Sequence, residues 1–200
     1  MRKARIAVLV SGGGTNLQAL IDAQMSGVIT SGEICLVISN NPNAYALERA
    51  AKAGIATQVI TKKTCGSQAS FEQCVKDSLA ANGIDLIVLA GFMSILSENF
   101  TKDYPERILN VHPSLIPSFC GVGYYGLRVH EEALAYGVKV TGATVHFVNE
   151  IPDGGRIILQ KAVEICDGDT PEVLQKRVME QAEWKILPAA VELVSKQLMG

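Results

Sequence analysis

Residues 6–10 read Ile-Ala-Val-Leu-Val and residues 85–90 read Asp-Leu-Ile-Val-Leu-Ala, apolar on both faces of an extended chain. A strand of that kind needs cover on both sides, which helices in a parallel sheet supply. The intervening sequence fits this. A helical pattern over 17–26 follows a glycine-rich turn, and a strand at 33–39 leads through Asn40-Asn41-Pro42-Asn43 into an alanine-rich helix ending at Lys52. A strand at 56–60 and a helix at 68–82, stopped by Gly83, precede the buried strand at 85–90. Such alternation predicts an α/β fold with a mostly parallel sheet, helices on both faces and right-handed crossovers. Ligands of these sheets gather at the carboxyl ends of the strands.

The second half continues the sheet less regularly. Strands are expected at 108–111, 143–148 and 156–164, with a helix at 127–136 ended by Gly137. Pro152-Asp153-Gly154-Gly155 cannot be helical and joins the last two strands as a hairpin-like pair. The sheet therefore acquires an antiparallel edge. Pro171 stands early in a long final helix reaching about 194, kinked at Pro188. No linker separates the halves, so 1–200 reads as a single domain, with a Rossmann-like phosphate-binding half at 1–100 and a chemical half at 101–200.

Charge and cysteine content narrow the function. With 18 basic against 20 acidic residues, the chain has no general attraction for nucleic acid or an anionic membrane. The apolar run at 6–10 is too short for an export segment or a membrane span. Five cysteines, an odd number without a Cys-x-x-Cys pair, argue against a disulfide framework or a metal site and for a reducing cytoplasm. Small-molecule chemistry is what remains.

Ser11-Gly12-Gly13-Gly14-Thr15-Asn16 joins the first strand to the first helix. Glycines bring backbone N–H groups close to a ligand, and a helix N-terminus adds free donors and a favourable dipole. No lysine follows, so this is not the nucleoside-triphosphate loop, and the spacing is not the dinucleotide fingerprint. Glu33 begins the second strand instead of ending it, where it would meet a ribose. A monophosphate fits better than NAD. The alternative is a bare structural turn, which three successive glycines make entropically costly.

Asn110 and His112 alternate on one strand and point the same way. Such a pair can hold an oxyanion, and the imidazole can also move a proton. If Asp153 approaches His112, it favours the imidazolium and raises the histidine pKa. The plain readings are a polar strand end and an ordinary Asp-Gly turn. None of the three is a strong nucleophile, and Ser114 lacks the glycine-flanked elbow of a serine hydrolase. An addition to a carbonyl carbon would then draw its nucleophile, such as an amine, from a substrate. His130 reads as a surface group on a helix, and His146 as either pocket support or a hydrogen-bonded core residue.

Four stretches together carry a resemblance over nearly the whole chain: Ser11 to Ala19, Leu89 to Met93, Asn110 to Pro117 and Thr141 to Val148. The sequence resembles the phosphoribosylglycinamide formyltransferases. The resemblance implies a seven-stranded sheet and transfer of formyl from 10-formyltetrahydrofolate, a cosubstrate, to glycinamide ribonucleotide. It places catalysis on Asn110, His112 and Asp153 and the ribonucleotide on Gly14, Thr15, Asn16, Gly91, Pro113 and Glu183. The folate falls on Gln68, Phe92, Met93, Ser94, Ile95, Leu96, Asn110, Val148 and Asp153. No metal, nucleic acid or membrane partner is implied, and the chain is a monomer or a homodimer. Two departures are evident: Ser94 replaces a usual basic residue and Gln68 an arginine, each removing a charge that meets phosphate or the folate glutamate tail. Residues 121–125, Gly-Val-Gly-Tyr-Tyr, read as an insertion. A formylfolate hydrolase and a non-catalytic nucleotide sensor of the same fold stand as alternatives.

Overall fold

The computed structural model describes residues 2–200. Seven strands form one sheet: β1 (Ala4–Val10), β2 (Gly32–Ser39), β3 (Ala56–Val59), β4 (Leu86–Leu89), β5 (Ile108–His112), β6 (Val140–Phe147) and β7 (Ile157–Glu164). Their spatial order is 3-2-1-4-5-6-7. β3, β2, β1, β4 and β5 are mutually parallel, and β6 runs antiparallel to both β5 and β7. The antiparallel part thus begins one strand earlier than the hairpin signature alone implies.

Successive side chains of β1 divide between two cores, as strand geometry requires. Ile6, Val8 and Val10 enter one core with Leu17, Leu20 and Ile21 of helix α1 (Thr15–Met25) and Leu187, Val191 and Val194 of the C-terminal helix. Ala7 and Leu9 enter the other, with Leu36, Ile38, Ile87 and Ile108 of neighbouring strands. There Phe71, Val75 and Leu79 of α4 (Gln68–Ala81) and Phe100 of the short α5 (Glu98–Thr101) cover the sheet. The remaining helices are α2 (Tyr45–Lys52), α3 (Lys62–Cys65), α6 (Leu127–Tyr136), α7 (Pro171–Val178) and α8 (Trp184–Met199).

Two expectations change. α1 begins at Thr15, so Thr15 and Asn16 belong to its first turn. The final helix extends past 194, and its regular ladder is interrupted before Pro188, by a π-helical segment at Met179–Glu183. A proline inside a helix signals a break in sequence, whereas a π turn has no such marker. Among the described residues, no helix is long and apolar enough to cross a membrane.

Candidate active site

β1, β4 and β5 end at the same level, with Leu9 opposite Leu89 and Leu89 opposite Asn110. The chain order reverses between β1 and β4, so their carboxyl ends diverge into a crevice, the usual ligand position of such sheets. The glycine-rich loop leaves β1 here. Gly14 has φ 72°, and a Cβ on it would stand 2.6 Å from the Ala46 Cβ, so a side chain is excluded on both backbone and packing grounds. Neighbouring carbonyls are taken up by α2: Ala46 N–H donates to Gly12 O at 3.1 Å, and Arg49 Nε donates to Gly13 O at 2.8 Å. The first N–H groups of α1 have no intrahelical acceptor and no side-chain cap, and they remain for an anion.

Asn16 faces Glu183, at the end of the π-helical segment, and donates from Nδ2 to Glu183 Oε2 at 2.7 Å. Glu183 is buried, which pushes its pKa up against the opposing pull of Asn16. Asn16 Oδ1 is buried without a partner. The π turn carries the 167-residue separation between these two side chains into one contact. Sequence position gives no hint of this pairing.

Over β5 and β6 the second face of the sheet changes character. Asn110 pairs with His146, and His112 with Thr144, so four polar side chains continue the face on which Ile108 is apolar. Loops cover them in place of a helix. The loop after β6 swings Asp153 over this face, with Asp153 at φ 57°, a left-handed conformation that aspartate tolerates better than most residues. Its Oδ2 lies 3.4 Å from His112 Nδ1 and accepts from Gly121 N–H at 2.8 Å. Its Oδ1 lies 3.5 Å from both His146 Nε2 and Asn110 Nδ2. The three residues singled out in the sequence are therefore brought together.

His146 completes the group. Its Nδ1 donates to the Phe147 carbonyl at 2.8 Å, which leaves Nε2 to accept from Asn110 Nδ2 at 3.2 Å. His146 thus orients the Asn110 amide. Direct opposition of residues across β5 and β6 creates this contact, and no local pattern announces the register.

The electrostatics correct one expectation. His112 was expected to be held protonated by Asp153, but burial pushes its pKa below the ordinary imidazole value, outweighing the upward pull of Asp153 and of the Phe119 carbonyl. Its Nε2 donates to Phe119 O at 2.8 Å, which fixes the site of the remaining proton. Burial acts to raise the Asp153 pKa, but the imidazole of His146 against Oδ1, and then His112 and the Gly121 N–H against Oδ2, bring it below the usual value. The resting pair is a neutral imidazole beside a carboxylate.

Residues 91–97 continue the chain from the carboxyl end of β4. Met93 N–H donates to Ser11 Oγ at 2.8 Å, and Asn40 Nδ2 donates to Ser94 Oγ at 2.7 Å, which ties this segment to the ends of β1 and β2. Gln68 Nε2 donates to Ile95 O at 3.1 Å and also to Glu72. Glu72 in turn accepts from Ser97 N–H at 2.7 Å. Ser94 and Gln68 are thus neutral side chains engaged within the protein. Met93 and Ile95 are exposed, Phe92 is half-buried and Leu96 is buried. Gly91, at φ 70°, turns the chain out of β4, and Val148 N–H donates to Ile108 O at 2.9 Å. Pro113 leads from β5 into a loop pinned by Thr144, whose Oγ1 donates to Ser114 O at 2.7 Å and accepts from Ile116 N–H at 3.1 Å. In the loop at 121–125, Val122 and Tyr125 are exposed, and the Arg128 guanidinium stands 5.7 Å from the Tyr124 ring centroid. Among the described residues, no group of three or more His, Cys, Asp or Glu side chains is arranged to hold a metal ion.

His130, expected at the surface, is fully buried on α6, and neither ring nitrogen has a partner. Burial, and then the nearby His112, push its pKa down to about 4. The unfolded chain takes up this proton near pH 6.5, so stability is complete above that pH and falls as pH drops towards 4. Between pH 7 and 4 the cost is about 3 kcal/mol. Urea titrations of the parent and of His130→Leu check this: the parent is expected to lose that much more stability on acidification, and equal losses would refute it.

The formyl transferase family model matches residues 4–191. Phosphoribosylglycinamide formyltransferase of Haemophilus influenzae is 44% identical over 94% of this chain and 85% of its own length. The trifunctional purine biosynthetic protein adenosine-3 of Bos taurus is 47% identical over 97% of this chain, which spans only 18% of that relative. Among solved structures, glycinamide ribonucleotide transformylase 1 of Symbiobacterium toebii superposes with a TM-score of 0.91 at 42% identity, over 98% of this chain and 89% of that one. Phosphoribosylglycinamide formyltransferase of Brucella melitensis gives 0.89 at 40% identity, over 100% and 97%.

Proposed function

Because the chain belongs to the formyl transferase family, we propose that it is a phosphoribosylglycinamide formyltransferase, moving formyl from 10-formyltetrahydrofolate to the amine of glycinamide ribonucleotide in purine biosynthesis. Both substrates are small molecules, and the reaction belongs in the cytoplasm. The observation that carries this reading is the meeting of Asn110, His112 and Asp153 on one face of the sheet, under loops and not a helix, beside a glycine loop suited to a phosphate.

In this reading the phosphate binds the N–H groups from Gly14 to Asn16, with Glu183 nearby for the rest of the ribonucleotide. The pteridine lies between 92–96 and the 148–153 loop. The neutral amine attacks the formyl carbon, forming a C–N bond and an oxyanion. That oxyanion competes with the Phe119 carbonyl for the His112 Nε2 proton, and the Asn110 amide is the second donor. The developing negative charge and Asp153 together raise the proton affinity of His112. A proton leaving the amine then passes by way of this pair to the folate nitrogen as its C–N bond breaks.

Folate product formation, followed by absorbance with and without glycinamide ribonucleotide, tests the assignment. Turnover is expected only when both substrates are present. Turnover with formylfolate alone would make the protein a hydrolase, and silence with both would overturn the proposal.

A further inference from the structure

Cys65 is the last residue of α3, and Cys74 lies in the second turn of α4. Only Gly66 and Ser67 separate the two helices. Gly66 turns the chain at φ 87°, and Ser67 caps α4 by accepting from Ser70 N–H at 3.0 Å. The chain therefore folds back on itself and sets the two sulfurs 3.4 Å apart. Cys65 is half-buried against the core containing Phe71 and Val75, and Cys74 is exposed. The formyl-transfer reading uses neither thiol.

We propose that Cys65 and Cys74 are a redox pair that closes to an intramolecular disulfide by exchange with a low-molecular-weight disulfide such as oxidised glutathione. The exposed Cys74 thiolate attacks one sulfur of the reagent, forming a mixed disulfide and expelling the first thiolate. The Cys65 thiolate then attacks Cys74 Sγ, forming the Cys65–Cys74 bond and expelling the second. The two protein thiols are oxidised by two electrons, the reagent is reduced to two thiols, and the two protons end on those products.

Geometry favours the second step. The sulfurs need to approach by roughly 1.4 Å to reach a normal disulfide bond length. The attacking thiol is already in contact, so the mixed disulfide is short-lived. The neighbouring Cys65, and then burial, raise the Cys74 pKa, which slows the first step at neutral pH. The bond would staple α3 to α4, whose first turns carry Gln68 and Glu72 against residues 95–97.

The test is incubation of the whole protein with oxidised glutathione at mildly alkaline pH, then alkylation of remaining thiols, intact mass and peptide mapping. The parent is expected to lose two of its five thiols, to become lighter by two hydrogens and to yield a linked 65–74 peptide that dithiothreitol releases. Cys65→Ser is expected to stop at a stable glutathione adduct on Cys74, and Cys74→Ser to form no 65–74 link. A stable adduct on Cys74 in the parent, five intact thiols, or a link between other cysteines would overturn the proposal.

Discussion

An Asp153→Asn protein is expected to form formylated ribonucleotide about 10²- to 10⁴-fold more slowly than the parent while unfolding at nearly the same temperature. Asparagine has the same shape and accepts the φ of 57° found at this position, so the backbone has no reason to move. Gly121 N–H keeps an oxygen acceptor in place of Asp153 Oδ2. What disappears is the charge. Burial already holds the His112 pKa low, and Asp153 is the largest upward pull against it. Without that pull the imidazole cannot take a second proton while the oxyanion forms. The loss is expected in kcat, with the ribonucleotide KM changed only a few-fold, since the phosphate loop lies on another strand. Steady-state kinetics beside a thermal melt separate the outcomes. Activity within tenfold of the parent would remove Asp153 from the mechanism, and a large fall in melting temperature would make its role structural.

Gly155→Ala is expected to be the more damaging change to the fold. A Cβ at Gly155 would stand 1.7 Å from the Phe147 carbonyl oxygen and 2.6 Å from its carbon. Backbone, and not a flexible side-chain end, occupies that space. Phe147 O is also the acceptor that sets His146 Nδ1, and Phe147 N–H donates to Arg156 O at 2.9 Å. Relieving the clash therefore separates β6 from β7 and frees the His146 ring that orients Asn110. A loss of about 3 kcal/mol, a fall of roughly 6–12 °C in melting temperature for a chain of this size, is expected together with loss of turnover. Gly12→Ala is the comparison, because a Cβ there meets nothing within 4 Å. Equal melting temperatures for the two variants would refute the argument.

The legible parts of this protein are those with a local physical signal. Apolar runs at 6–10 and 85–90 marked central strands because both faces of β1 and β4 are covered, and residues 6–10 and 86–90 are all buried. The helix at 127–136 coincides with α6, whose C-terminal Gly137 adopts the left-handed conformation at φ 83°. Less legible was the end of the chain. Pro188 marks a break in the sequence, yet the departure from α-helix lies at 179–183, where Glu183 meets Asn16. His130 looked exposed because its sequence neighbour Arg128 is charged, but on α6 it shares the buried side with Val129 and Ala133.

By itself, the sequence determined the class of fold, the glycine-rich turn at the end of the first strand, and the residue types available for chemistry. Periodicity, turn propensity and side-chain chemistry are local properties, and they survive in a linear text. The tertiary structure decided which of those residues meet and in what charge state. It folded Asp153 over His112, opposed His146 to Asn110 across an antiparallel register, and set Cys65 against Cys74. It also turned the expected rise of the His112 pKa into a fall, because desolvation depends on everything packed around the ring and Coulomb attraction on one distance. Those quantities are sums over neighbours far apart in the chain, so they exist only once the chain has closed.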